Sequence, residues 1–95
     1  MSNETQYSAP SNQCLQHAVK IAIVEDRPIM MDYWTSSVDK SVLIVKEDGE
    51  KLLVKSEDEY TSPIAKIFKV EEENIIVTEN SLYIVSATIP TKRIS

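Results

Sequence analysis

The only glycine of the chain, Gly49, follows Asp48 and stands midway between two apolar runs, residues 41–45 and 51–54. An Asp-Gly pair between such runs predicts a β-hairpin, because both residues tolerate the positive φ of a type I′ turn. A two-residue turn sets Glu47 opposite Glu50, Lys46 opposite Lys51, Val45 opposite Leu52, Ile44 opposite Leu53 and Leu43 opposite Val54. Opposed residues share a face. One face then carries Leu43, Val45, Leu52 and Val54 and is expected to be core. The other carries Val42, Ile44 and Leu53 among Lys46, Lys51 and Lys55. Aliphatic residues ringed by charge predict a contact surface there.

The same reading extends along the chain. Residues 1–17 are rich in Ser, Asn and Gln and read as a flexible polar tail. One helical turn is expected near residues 11–17, where Ser11 or Asn12 would cap. The β domain is expected over residues 18–89. Residues 19–24 alternate as a strand, Glu25–Pro28 interrupts it, and residues 29–34 alternate again before a loop at residues 35–37. Ser56 with Glu59 three residues on fits a capping box and predicts a single helical turn. Residues 64–70 are expected to pair with residues 75–78 across a four-residue loop, Glu71 to Asn74, setting Val70 beside Ile75 and Phe68 beside Val77. Residues 79–81 turn again, residues 82–87 form the last strand, and residues 90–95 are a short tail. Six to seven short strands with turns every 8–12 residues predict an all-β fold, a compact SH3-like small barrel or a rolled meander.

Bulk properties narrow the function classes. The 95-residue chain has a net charge of −5, with 15 acidic and 10 basic residues. That balance argues against nucleic acid and anionic membrane as partners, since phosphate neutralisation supplies most of a nucleic-acid binder's affinity. No apolar run approaches the roughly 18–20 residues needed to span a bilayer. Cys14 is the only cysteine, so no intramolecular disulfide forms. A soluble intracellular protein of a reducing compartment is the expectation.

No catalytic constellation stands out. Cys14 and His17 lie three residues apart, but no further Cys or His completes a metal site or a thiolate–base pair. Glu25, Asp26 and Asp32, and the runs 57–59 and 71–73, read as solvated acidic loops. They lack the glycine and the alternating ligands of a calcium loop. A carboxylate hydrolase would need two acids in one cleft with their pKa values pushed apart. Tyr33 and Trp34 are neighbours in an expected strand, so they point to opposite faces and one is available for recognition. Ser56 before acidic residues fits a kinase site as well as a cap, and Asn3-Glu4-Thr5 is a glycosylation sequon in form only.

Glu59-Tyr60-Thr61-Ser62-Pro63-Ile64 is followed by Thr78-Glu79-Asn80-Ser81-Leu82-Tyr83-Ile84-Val85. Over residues 59–86 this resembles the C-terminal half of small uncharacterised β proteins of phages and large DNA viruses. The resemblance implies a viral source and no activity. The expected function is therefore a non-enzymatic, cofactor-free protein-interaction or assembly module, a viral accessory or structural protein, binding a protein partner or itself as a homo-oligomer. Its expected contact residues are Val42, Ile44, Leu53, Tyr33 and Trp34. The alternative is a small-barrel single-stranded nucleic-acid binder using aromatics with Lys46, Lys51 and Lys55.

Overall fold

The structure is a computed structural model that describes residues 9–39, 41–56 and 58–94. The expectations placed on residues 1–8, including the sequon, lie outside the described residues. Strands dominate, as expected. Among the described residues they form two four-stranded sheets and no closed barrel.

The hairpin forms as read. Strand β2 (Leu43–Glu47) pairs with β3 (Glu50–Ser56) in the expected register from Leu43–Val54 to Glu47–Glu50. Asp48 and Gly49 take φ of 53° and 82°, the double positive φ the turn requires. The faces, however, are largely reversed. Val42, Ile44 and Leu53 are buried, whereas of the four residues expected to be core Val45 is buried and Leu43, Leu52 and Val54 are only half-buried. Register decides which residues share a face, not which face meets the core. Lys46 and Lys51 sit near the turn, beyond the buried part of their own face, so they do not stop that face from being core.

The reason lies in the second sheet. Strands β5 (Ile64–Val70), β6 (Glu73–Thr78) and β7 (Leu82–Ser86) form an antiparallel meander, and β1 (Ile29–Met30) joins β7 in parallel, giving the order β1-β7-β6-β5. Its strands β6 and β7 are buried on both faces. Ile75, Val77, Leu82 and Ile84 point one way. Ile76, Tyr83 and Val85 point the other and pack on Val42, Ile44 and Leu53. Apolar residues in both phases of these strands are thus accounted for within one chain, as in any sheet covered twice.

The first face is covered by a helix where a strand and a tail were expected. Helix α1 (Asn12–Glu25) is capped by Ser11, whose Oγ accepts the Cys14 N–H at 3.1 Å. Ser11 is thus the expected cap, but the helix runs on past residue 17 to Glu25, about two turns further. Cys14 and Ala18 are fully buried, with Ile21 and Ala22 packed beside them. Read alone, residues 19–24 alternate like a strand. Read with Cys14 and Ala18, the small residues recur at helical spacing and let the helix lie close on the sheet. Asp26 ends α1 at φ 56°, and the Arg27 N–H folds back on the Ala22 carbonyl at 3.1 Å. The boundary expected at residue 18 therefore falls inside a docked helix.

Burial pushes the Cys14 thiol up to about 11, with the Glu73 and Glu71 carboxylates adding to the rise. The thiolate is the reactive form, so Cys14 is expected to resist an aromatic disulfide reagent in the folded protein and to react fully in denaturant. Rapid labelling of the native chain would show that α1 is not docked.

Three further expectations are corrected. Only residues 29–30 of the second expected strand are extended; Trp34–Val38 is a short helix, α2, in place of strand end and loop. The β5–β6 turn has two residues, with Glu71 at φ 56°, so Val70 faces Glu73 and Phe68 faces Ile75. Glu73 is drawn into β6, where its carboxylate accepts from the Ser11 N–H and hydroxyl at 3.2 and 2.8 Å. At the other end, Thr91–Ile94 is not a tail but strand β8, parallel to β2. With β4 (Glu59–Tyr60) on β3 it completes the outer sheet, order β4-β3-β2-β8. The helical turn expected from Ser56 falls in part on residue 57, outside the described residues; Ser56 and Glu59 themselves are strand residues, the last of β3 and the first of β4.

Candidate functional site

The five expected contact residues are all interior. Val42, Ile44, Leu53 and Tyr33 belong to the cluster between the sheets, and Trp34 to the cluster under α1. The expectation that one of Tyr33 and Trp34 is free for recognition assumed strand geometry. They sit instead at the start of α2, which turns them towards different clusters beside β7. Ser37 holds α2 there, donating to the Trp34 carbonyl at 2.6 Å and accepting the Ser86 N–H at 2.9 Å. Tyr33 packs edge-on against Tyr83 with ring centroids 5.1 Å apart, and burial pushes its phenol up to about 12. Lys55 lies 5.6 Å from the Tyr33 ring and donates to the Asp32 carbonyl.

The three lysines proposed for nucleic acid are thereby separated. Lys46 and Lys51 remain at the hairpin tip and are joined there by Arg93, which faces Lys46 across the β2–β8 ladder. None of these three cations has an ion-pair partner among the described residues. A hollow of about 480 Å³ at the tip is lined by them with Glu47, Asp48 and Glu50.

The carboxylates take structural parts. Glu25 pairs with Arg27 at 2.9 Å and Lys66 at 3.1 Å, tying α1 to β5. The hydrogen bond and charge of Lys66, then Arg27, hold its carboxyl below the usual value of 4.5. A depressed pKa suits an ion-pair anchor rather than a proton donor. His17 is exposed on α1, whereas Cys14 is buried. Among the described residues no group of three or more His, Cys, Asp and Glu is placed to hold a metal ion. No helix among them is long and apolar enough to cross a membrane.

The surface that sequence reasoning missed is the outward flank of α1. Val19, Ile23 and Val24 are 50%, 75% and 80% exposed, and Phe68 on neighbouring β5 is 38% exposed. Leu15, Val19 and Ile23 recur at i, i+4, i+8, a second apolar stripe beside the buried one. One hollow of about 200 Å³ lies between Lys20, Ile21, Val24, Glu25 and Phe68. Another, of about 400 Å³, is lined by Leu15, Gln16, Val19 and Lys20. The signal was present in the sequence, since residues 14–24 are apolar around more of a helix than one sheet can cover, but it is visible only once the helix is recognised. Compared with known protein families, curated proteins and solved structures, the chain finds no match.

Proposed function

We propose that this chain is a non-catalytic protein-interaction or assembly module whose contact face is the α1 flank with the adjoining part of β5. The observation that carries the reading is the exposure of Val19, Ile23 and Val24 on a helix already docked on the sheet, with Val24 sharing a hollow with Phe68 of β5. Scattered exposed aliphatics need no explanation, but a contiguous apolar stripe on a docked helix marks an interaction site. Charged Lys20, Glu25, Lys66 and Arg27 border it, giving an apolar centre with a polar rim.

Replacing Ile23 and Val24 together with Lys tests this. Both side chains are largely exposed, and cations suit a helix C-terminus, so stability is expected to change by less than about 1 kcal/mol. The variant is expected to lose the self-association or the cross-linked partner that the wild-type chain shows, read by light scattering and cross-linking. Unchanged mass together with an unchanged cross-linked set would overturn the reading.

The row Lys51, Lys46, Arg93 favours a second reading, binding of a single-stranded nucleic acid. It is weaker because Tyr33 and Trp34, the aromatics that would stack on bases, are interior. Three carboxylates share the same tip hollow.

A further inference from the structure

We infer that the free edge of β5 accepts an extended, acidic segment of a partner protein as an added strand of the central sheet. The inference rests on the contact face proposed above and names what binds there. Strand β5 ends the order β1-β7-β6-β5, and the backbone pairing of Ile64–Val70 goes to β6 alone among the described residues. Seven residues leave a row of unpaired N–H and C=O groups about 23 Å long. Water satisfies such an edge until another strand takes its place, which makes the edge a template for strand addition.

The charge on the edge selects the occupant. The chain is acidic overall, yet Ile64–Val70 contains Lys66 and Lys69 and no carboxylate. Lys66 shares Glu25 with Arg27, so that trio keeps a net positive charge. Lys69 has no ion-pair partner among the described residues. Besides Glu25, the carboxylates around the strand are Glu71 and Glu72 in the turn beyond its end, Glu73 facing Val70 on β6, and Glu50 across a hollow from Pro63 to Ile67. A second copy offering its own β5 would bring lysines to lysines along one seam, which disfavours self-pairing. An acidic strand meets the same lysines with opposite charge.

Room for side chains exists on both faces of the edge. Towards α1, Phe68 and Val24 line the smaller hollow. Towards the outer sheet, a hollow of about 480 Å³ separates Pro63–Ile67 from Gly49, Glu50 and Lys51. An incoming strand with alternating side chains places one set in each, the arrangement that gives strand addition its specificity.

The test uses the full isotope-labelled chain and a capped peptide of about ten residues alternating Val with Glu, with a Val–Lys peptide as control. The Val–Glu peptide is expected to shift the amide resonances of Ile64–Val70 and slow their exchange. The Val–Lys peptide is expected to do neither. Lys69→Glu is expected to weaken binding about tenfold, since a rim charge of the wrong sign opposes the guest. Equal binding of both peptides, or none at β5, overturns the inference. So does a peptide-free protein that sediments as a dimer with β5 amides already protected, because a second copy then occupies the edge. If the Ile23→Lys, Val24→Lys variant loses binding while Lys69→Glu keeps it, the α1 face stands and strand addition falls.

Discussion

Replacing Ile44 and Leu53 together with threonine is expected to unfold the domain. The two residues face one another across the β2–β3 ladder and lie in the cluster between the sheets with Ile76 and Val85. Each substitution removes buried methyl groups, leaves a cavity and introduces a hydroxyl among aliphatic neighbours, a loss of about 2–4 kcal/mol. Neighbouring sites do not add strictly, but about 5 kcal/mol in total is comparable with the whole stability of a small domain, about 5–15 kcal/mol. The matching change on the opposite face, Leu43→Thr with Leu52→Thr, alters half-buried side chains and is expected to cost about 1–2 kcal/mol. Urea denaturation of the two double variants decides the matter. A folded Ile44–Leu53 variant beside an unfolded Leu43–Leu52 variant would place the core on the other side of this sheet.

That contrast marks where the sequence stops speaking. Asp48-Gly49 determines a register through local backbone geometry, and the register is right to the residue. Which face is buried depends on what else docks, and here that is Ile76 of β6 and Val85 of β7, both more than twenty residues downstream of Leu53. The face with four aliphatics looked more like core than the face with three aliphatics and lysines. The lysines mislead because a strand need not be buried along its whole length. Helix α1 was lost for a related reason: alternation over residues 19–24 satisfies a strand period, while the helical period emerges only with Cys14 and Ala18 included. The β5–β6 turn was misjudged because glutamate at positive φ is uncommon, so a two-residue turn at Glu71-Glu72 carries no signal like that of Gly49. Strand β8 has no apolar alternation at all; it is held by the backbone ladder to β2.

The stretches behind the viral resemblance have a local physical account. Thr78 Oγ1 accepts the N–H groups of Asn80 and Ser81 at 3.3 and 3.2 Å and donates to the Ser81 carbonyl at 3.1 Å, closing the β6–β7 turn. Asn80 Nδ2 donates to Ser62 Oγ at 2.8 Å. Thr61 Oγ1 accepts the Leu53 N–H at 3.2 Å and donates to the Ser62 carbonyl at 2.8 Å where the chain crosses from one sheet to the other. These residues build turns and crossings. The candidate interaction site draws instead on α1 and β5, which the expected contact residues did not include, because its apolar surplus becomes surface only when the helix has chosen which side to bury.

Deleting residues 1–15 is expected to lower the melting temperature by about 15–30 °C, the equivalent of about 4 kcal/mol in a domain of this size. A flexible tail would predict almost no change. The structure gives these residues three separate roles. Ser11 caps α1, and losing a serine cap costs about 1 kcal/mol. Cys14 is fully buried among Ile75, Ile84 and Trp34, so its loss opens the helix–sheet cluster and costs about 1–2 kcal/mol. Glu73 is left without the Ser11 N–H and hydroxyl in a largely buried position, and an orphaned carboxylate there costs about 1–3 kcal/mol. Ser11→Ala in the full chain separates the first and third effects from the second. It removes the cap and one of the two bonds to Glu73, and is expected to account for roughly half of the loss. Calorimetry of the truncated chain and of Ser11→Ala reads both values. A truncated chain that melts within a few degrees of the full one would detach the first turn of α1 from the fold. It would also remove the fixed helix on which the proposed contact face depends.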